Sequence, residues 1–135
     1  MQLASTRLIT TDIDRLVAFY EAVTGLTAVR HTPDFAEIRT PGATLAVGST
    51  RTLALFGGEA VAEAAANRSA IIEFQVGDVD AEHARIASGI GVTMVHPPTT
   101  MPWGNRSLLL RDPDGTLVNL FAPVTAEAKQ RLDQR

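Results

Sequence analysis

The sequence predicts an α+β fold built from two tandem βαβββ modules, and three observations carry that reading. The first is a hairpin from Arg106 to Phe121, in which Asp112-Pro-Asp-Gly115 joins two short apolar runs. Proline fixes φ there, aspartate accepts local backbone hydrogen bonds and glycine takes a positive φ. The second is an earlier turn, Pro41-Gly42, also set between two runs of strand character. The third is an ordered repeat: Asp12-Ile-Asp14 returns as Asp78-Val-Asp80 and Gly25 as Gly91 at one common offset. At a slightly longer offset Pro41 with Thr44-Leu45 returns as Pro113 with Thr116-Leu117. Any one match could be chance, whereas the ordered set marks a duplication.

Each element follows in order. Gln2 to Thr10 suits a strand, after which Asp12 caps a helix whose apolar residues Ile13, Leu16, Val17 and Tyr20 keep helical spacing and which Gly25 ends. Strands follow over Leu26 to His31, Asp34 to Thr40 and Thr44 to Val47, and Thr52 to Phe56 reads as an extension of the last strand or as an edge. Module one therefore covers about residues 1–58, and the Ala-rich segment 59–69 is a linker with room for one helical turn. Module two, 70–122, restarts with a strand from Ala70 to Val76, a helix capped by Asp78, a strand from Val92 to His96 and the hairpin. A stiff loop, Pro97 to Asn105, is expected between them, and a helix over 124–134, capped by Thr125, closes the chain. Its late Lys129, Arg131 and Arg135 follow the helix dipole and look structural.

Composition narrows the function classes. With 135 residues, 45% of them hydrophobic, the chain is expected to form one domain with a real core. A net charge of −3 and a pI near 5.5 argue against nucleic acid or an anionic membrane as partner. Cysteine is absent, which removes disulfides, thiolate metal sites and a thiol nucleophile. No secretory pattern opens the sequence and no apolar run reaches membrane-spanning length, so a cytoplasmic protein is expected. No Ser–His–Asp order, phosphate-binding glycine loop or zinc spacing appears.

Alternation assigns faces. Ala70, Ile72, Phe74 and Val76 form an apolar row suited to packing under a helix, and Ile71, Glu73 and Gln75 face the other way. If both modules curl their sheets, these opposite faces line a shared cleft; plain solvent exposure is the alternative.

With Ala-Phe-Tyr20 closing the first helix, Gly25-Leu26, Val76-Gly-Asp-Val-Asp80 and Asp112-Pro-Asp-Gly-Thr-Leu117, the chain resembles the vicinal oxygen chelate superfamily of glyoxalases, bleomycin resistance proteins and extradiol dioxygenases. The resemblance implies a curved mixed sheet around a U-shaped cleft, frequently in a homodimer. It also implies metal ligands, usually His and Glu, on the first and last strand of each module. Carried over by position, those sockets are Ser5, Val47, Ile71 and Asn119, none of them His, Asp or Glu. Two neutral oxygens at best do not repay the dehydration of a divalent ion, so no metal cofactor is expected. His31, His83 and His96 fall outside the sockets.

Arg7 and Glu73 lie two residues beyond empty sockets, as repeat partners. Across a cleft they could hold a polar ligand group, or make Glu73 a base; otherwise they form a structural salt bridge. Trp103 could lie over the cavity mouth, or cover the core or a dimer seam. Asn119 offers one directional hydrogen bond to an apolar wall, or is a buried amide satisfied by the backbone. The expectation is a metal-independent protein that binds a small organic ligand through Arg7, Glu73, Trp103 and Asn119, with Ser5, Val47 and Ile71 shaping the floor. The rival is a lyase, isomerase or dioxygenase with an unconventional metal site or Glu73 as base.

Overall fold

The computed structural model describes residues 1–89 and 91–135, and its chain divides into two compact units. The first holds Met1–Asn67 with Pro113–Gly115, and the second Arg68–Asp112 with Thr116–Arg135.

In the first unit the order is β1 (Ser5–Thr10), α1 (Ile13–Thr24), β2 (Val29–Thr32), β3 (Phe35–Arg39) and β4 (Thr44–Ser49). The sheet runs β1-β4-β3-β2, with β1 parallel to β4 and the other pairs antiparallel. Helix α1 begins where the Asp12 carboxylate accepts the Arg15 N–H at 3.1 Å. It ends at Gly25, whose φ of 71° lets its N–H reach the Glu21 carbonyl at 2.9 Å. Leu16, Val17, Tyr20 and Val23 are buried, as are Ala36, Ile38, Leu45 and Val47 on the strands α1 packs against. Each of the larger side chains, the valines, leucines and isoleucine, contributes about 1.5–3 kcal/mol by its burial.

The second unit repeats the plan with β5 (Ile71–Gln75), α2 (Val79–Ala87), β6 (Thr93–Thr100), β7 (Asn105–Arg111) and β8 (Leu117–Pro123), then adds α3 (Ala126–Asp133). Its sheet runs β5-β8-β7-β6 and only the β5–β8 pair is parallel. Asp78 caps α2 by accepting the Ala81 N–H at 3.0 Å. Ile86 and Val79 of that helix are buried, together with Leu108, Leu110, Val118 and Leu120 of the sheet. Arg106 of β7 grips Asp80 with two hydrogen bonds, 2.7 and 2.8 Å, and holds the aspartate carboxyl below its ordinary range.

Three expectations change. Thr52 to Phe56 is not strand: Thr50–Phe56 forms a 3₁₀ segment. Ser49 turns the chain there, its hydroxyl accepting the Arg51 N–H and its carbonyl accepting the Thr52 hydroxyl at 2.7 Å, and only Leu53 of the apolar run is buried. The segment Pro97 to Asn105 is loop only over residues 101–104, because β6 continues through Thr100 and pairs with β7 as far as Arg106. Two prolines fit within it because β6 is an edge strand whose register shifts between His96 and Thr99. The third change is one of register. Ser5 pairs with Thr44 and its repeat partner Ile71 pairs with Leu117, so Thr44 corresponds to Leu117, not to Thr116. The second turn carries one more residue than the first: Thr40 closes on Ala43, and Asp112 on Thr116. Asn119 therefore corresponds to Ala46, and a one-residue slip puts Val47 on the opposite face.

Candidate functional site

The face of the second sheet turned away from α2 carries the chemistry. Glu73 and Asn119 sit side by side in the β5–β8 register, and the Asn119 amide nitrogen donates to Glu73 Oε2 at 2.8 Å. Asn119 is 9% exposed, and its side-chain oxygen is buried with no hydrogen-bond partner among the described residues. A buried carbonyl left unpaired costs about 1–3 kcal/mol, which is unusual away from sites that receive water or a ligand.

Next to this pair lies a cavity of about 370 Å³ whose walls include Glu73, Trp103, Phe121, Ala128, Arg131 and Arg135. Helix α3 contributes one face to it, since residues 128, 131, 132 and 135 follow the spacing of a single helical stripe. The β6–β7 turn supplies Trp103. That turn is tight, with the Met101 N–H on the Asn105 carbonyl at 2.7 Å and the Gly104 N–H on the Met101 carbonyl at 2.9 Å.

Turn and helix are fastened together at Gly104. The Gly104 carbonyl accepts the N–H groups of Val124 and Thr125 at 2.9 and 3.3 Å, and the Arg131 guanidinium donates to the Trp103 carbonyl. Gly104 has φ +91°, and a Cβ on it would fall 2.1 Å from Thr125 Oγ1 and 3.0 Å from Ala128 Cβ. Only glycine lets the turn approach the start of α3 so closely. The indole is nonetheless 58% exposed, so the core-covering alternative for Trp103 does not hold.

The remaining predicted residues are placed as follows. Arg7 lies on the open face of the first sheet, with its guanidinium carbon 4.7 Å from the centre of the Phe35 ring and 5.7 Å from that of Phe56. Its stem lies 3.5 Å from where a Cβ on Gly48 would stand. Ser5 is exposed at the start of β1, and Ile71 is 49% exposed at the start of β5. Val47 is fully buried on the α1 side of its sheet and forms no floor. Asn119 is a buried amide, but a side-chain carboxylate satisfies its nitrogen, not the backbone.

Taken one by one, these positions offer no donor suited to a divalent ion. Ile71 presents hydrocarbon, as does Ala46, which the register puts in the place expected of Val47; Ser5 offers a neutral hydroxyl, and Asn119 one neutral oxygen beside an amide committed to Glu73. Among the described residues no three His, Cys, Asp or Glu side chains gather in one place.

The sequence reading missed Arg131, Arg135 and Phe121 as wall residues. The arginines were assigned to the helix dipole, although the stripe they share with buried Ala128 was readable from the spacing.

With this geometry in view, residues 2–120 match the Glyoxalase/Bleomycin resistance protein/Dioxygenase superfamily. The chain belongs to that superfamily. Among solved structures, it is similar to a glyoxalase/bleomycin resistance protein/dioxygenase from Nocardioides, at 25% identity over 93% of this chain and 85% of that one, TM-score 0.76. A family enzyme from Burkholderia phytofirmans PsJN superposes with TM-score 0.80 at 19% identity, covering 92% of this chain and all of its own. A glyoxalase-related enzyme from Fulvimarina pelagi gives TM-score 0.75 at 22% identity, covering 94% of each chain. These last two show the shared fold. None of the curated proteins matches the chain significantly. No helix among the described residues is long and apolar enough to cross a membrane.

Proposed function

We propose that this superfamily member works without a metal and encloses a small organic ligand in the cavity beneath α3. The observation that carries the reading is the Glu73–Asn119 pair: a carboxylate and an unpaired buried carbonyl beside a cavity walled by Trp103 and Phe121. The space is lined mainly by polar groups, with Trp103 and Phe121 as its aromatic members, and about 370 Å³ lies at the lower end of the usual range of about 300–1,000 Å³ for small-molecule sites. The scaffold resemblance supports assembly as a homodimer, which sedimentation checks.

A thermal-shift screen across antibiotics and metabolites, run with a chelator present, tests the reading. A ligand at a hundredfold excess over its dissociation constant should stabilise the fold by about 2.7 kcal/mol. Stabilisation should persist in chelator and shrink in Asn119→Leu. A broad screen with no stabilising compound, or stabilisation that the chelator abolishes, overturns the proposal.

A further inference from the structure

We infer that Arg7, on the open face of the first sheet, holds a small organic carboxylate whose apolar body rests against Phe35 and Phe56. This does not rest on the cavity beneath α3, since every residue it uses belongs to the first unit.

The register shows how the site is built. Arg7 pairs with Ala46 and Ala46 with Glu37, while Ile9 pairs with Gly48 and Gly48 with Phe35, so these positions share one face. There β4 presents only a methyl at 46 and a hydrogen at 48. The Arg7 side chain therefore runs across β4. Its Cδ lies 3.5 Å from where a Cβ on Gly48 would stand, and its guanidinium carbon reaches the Phe35 ring on β3 at 4.7 Å. The 3₁₀ segment after β4 brings the Phe56 ring to 5.7 Å from the same carbon. Both rings attract the cation, but neither offers a lone pair to its five N–H groups.

The acids nearby are already spent. Glu37 receives Arg39 at 2.7 Å with His31 at 3.5 Å, and Asp34 receives Arg51 at 2.7 Å. Within the first unit Arg7 has neither a hydrogen-bond nor an ion-pair partner among the described residues. Its exposed fork of donors matches a carboxylate in shape and charge. With Arg39 and Arg51 committed to acids, one unmatched cation suits a single negative charge better than the higher charge of phosphate. Phe56, 60% exposed, and half-buried Phe35 supply apolar surface for the hydrocarbon or ring that carries the acid group.

Nitrogen-15 NMR of the full chain reads the site locally, through the Arg7 Nε–H signal, identified by its loss in Arg7→Gln, and the backbone N–H signals of Ala46 and Gly48. The chain is titrated with phenylacetate, acetate, phenylacetamide and inorganic phosphate. Phenylacetate should shift these signals saturably and bind about tenfold tighter than phenylacetamide, the size expected of a hydrogen bond between charged groups. It should bind about three- to tenfold tighter than acetate, the size expected of a ring contact, and more tightly than phosphate. Arg7→Gln should abolish saturation at Ala46 and Gly48, Arg7→Lys should restore part of it, and Phe56→Ser should bring phenylacetate down toward acetate. Both side chains are exposed, so these variants keep the fold. Amide binding as tightly as the acid, phosphate binding as tightly as phenylacetate, or no saturable shift at these signals overturns the inference. A shift confined to the indole N–H of Trp103, the single tryptophan, also overturns it and places the compound in the cavity beneath α3 instead.

Discussion

Gly104→Ala is the sharpest test of how the cavity is built. The new Cβ would lie 2.1 Å from Thr125 Oγ1, 3.1 Å from Thr125 Cβ and 3.0 Å from Ala128 Cβ, on a backbone with φ +91°. The left-handed backbone costs a non-glycine residue about 1–2 kcal/mol. Forcing a methyl into occupied space adds about 1–3 kcal/mol. The turn cannot retreat freely, because the Gly104 carbonyl holds two N–H groups at the start of α3. A loss of about 2–5 kcal/mol is expected in urea denaturation, with faster hydrogen exchange in α3 if the helix lifts before the sheet unfolds. Thr125→Gly removes the nearest atoms at the cost of a few tenths of a kcal/mol as a cap. Combined with Gly104→Ala it should recover about 1–3 kcal/mol, leaving mainly the backbone strain. A single variant within about 0.5 kcal/mol of wild type, the range of ordinary surface substitutions, would refute the clamp between turn and helix.

Other outcomes follow from the same structure. Val47→Ala should cost about 1.5–3 kcal/mol in denaturation and leave ligand affinity unchanged, because Val47 belongs to the core under α1. Asn119→Asp replaces a donor with a second carboxylate against Glu73 and should cost about 1–3 kcal/mol at neutral pH, with relief in acid as the pair takes up a proton, read by urea melts at both pH values. Arg7→Ala should lose about 0.5–1 kcal/mol of cation–π attraction to Phe35 and Phe56, a loss that Arg7→Lys partly avoids in the same assay. Asp80 and Asp34 have their carboxyls lowered below 3.8 by hydrogen bonds from Arg106 and Arg51. Depressed folded-state values mean that their contribution is present above 3.8 and fades as pH drops through the folded value, so thermal midpoints should fall there. Asp80→Asn should flatten that fall, and salt should weaken it, since Asp80 is exposed and Asp34 half-exposed.

The helices were legible because their signals are local: Asp12 and Asp78 cap through their own side chains, and Gly25 stops α1 through its own φ. The duplication was legible for the same reason, as matching local motifs in matching order. What escaped depended on contacts between segments distant in sequence. Thr44-Leu45 looks like Thr116-Leu117, but strand pairing, not residue identity, sets the register, and one extra turn residue shifted every face after it. Pro97-Pro98 reads as loop until β7 is seen to hold β6 as an edge strand. Glu73 was chosen from the repeat and Asn119 from the family resemblance, yet their hydrogen bond comes from the parallel pairing of strands, between residues 46 apart in sequence. Arg131 and Arg135 gained significance only once the Gly104 clamp set α3 beside Glu73.

The most direct measurement is the metal content of the chain, purified without chelator, then dialysed against zinc, manganese and iron in turn and assayed by mass spectrometry. Ion contents far below one per chain, together with a ligand-induced rise in thermal midpoint that chelator leaves intact, are the predicted result. A stoichiometric ion that is lost on changing Asn119 or Glu73 would contradict it.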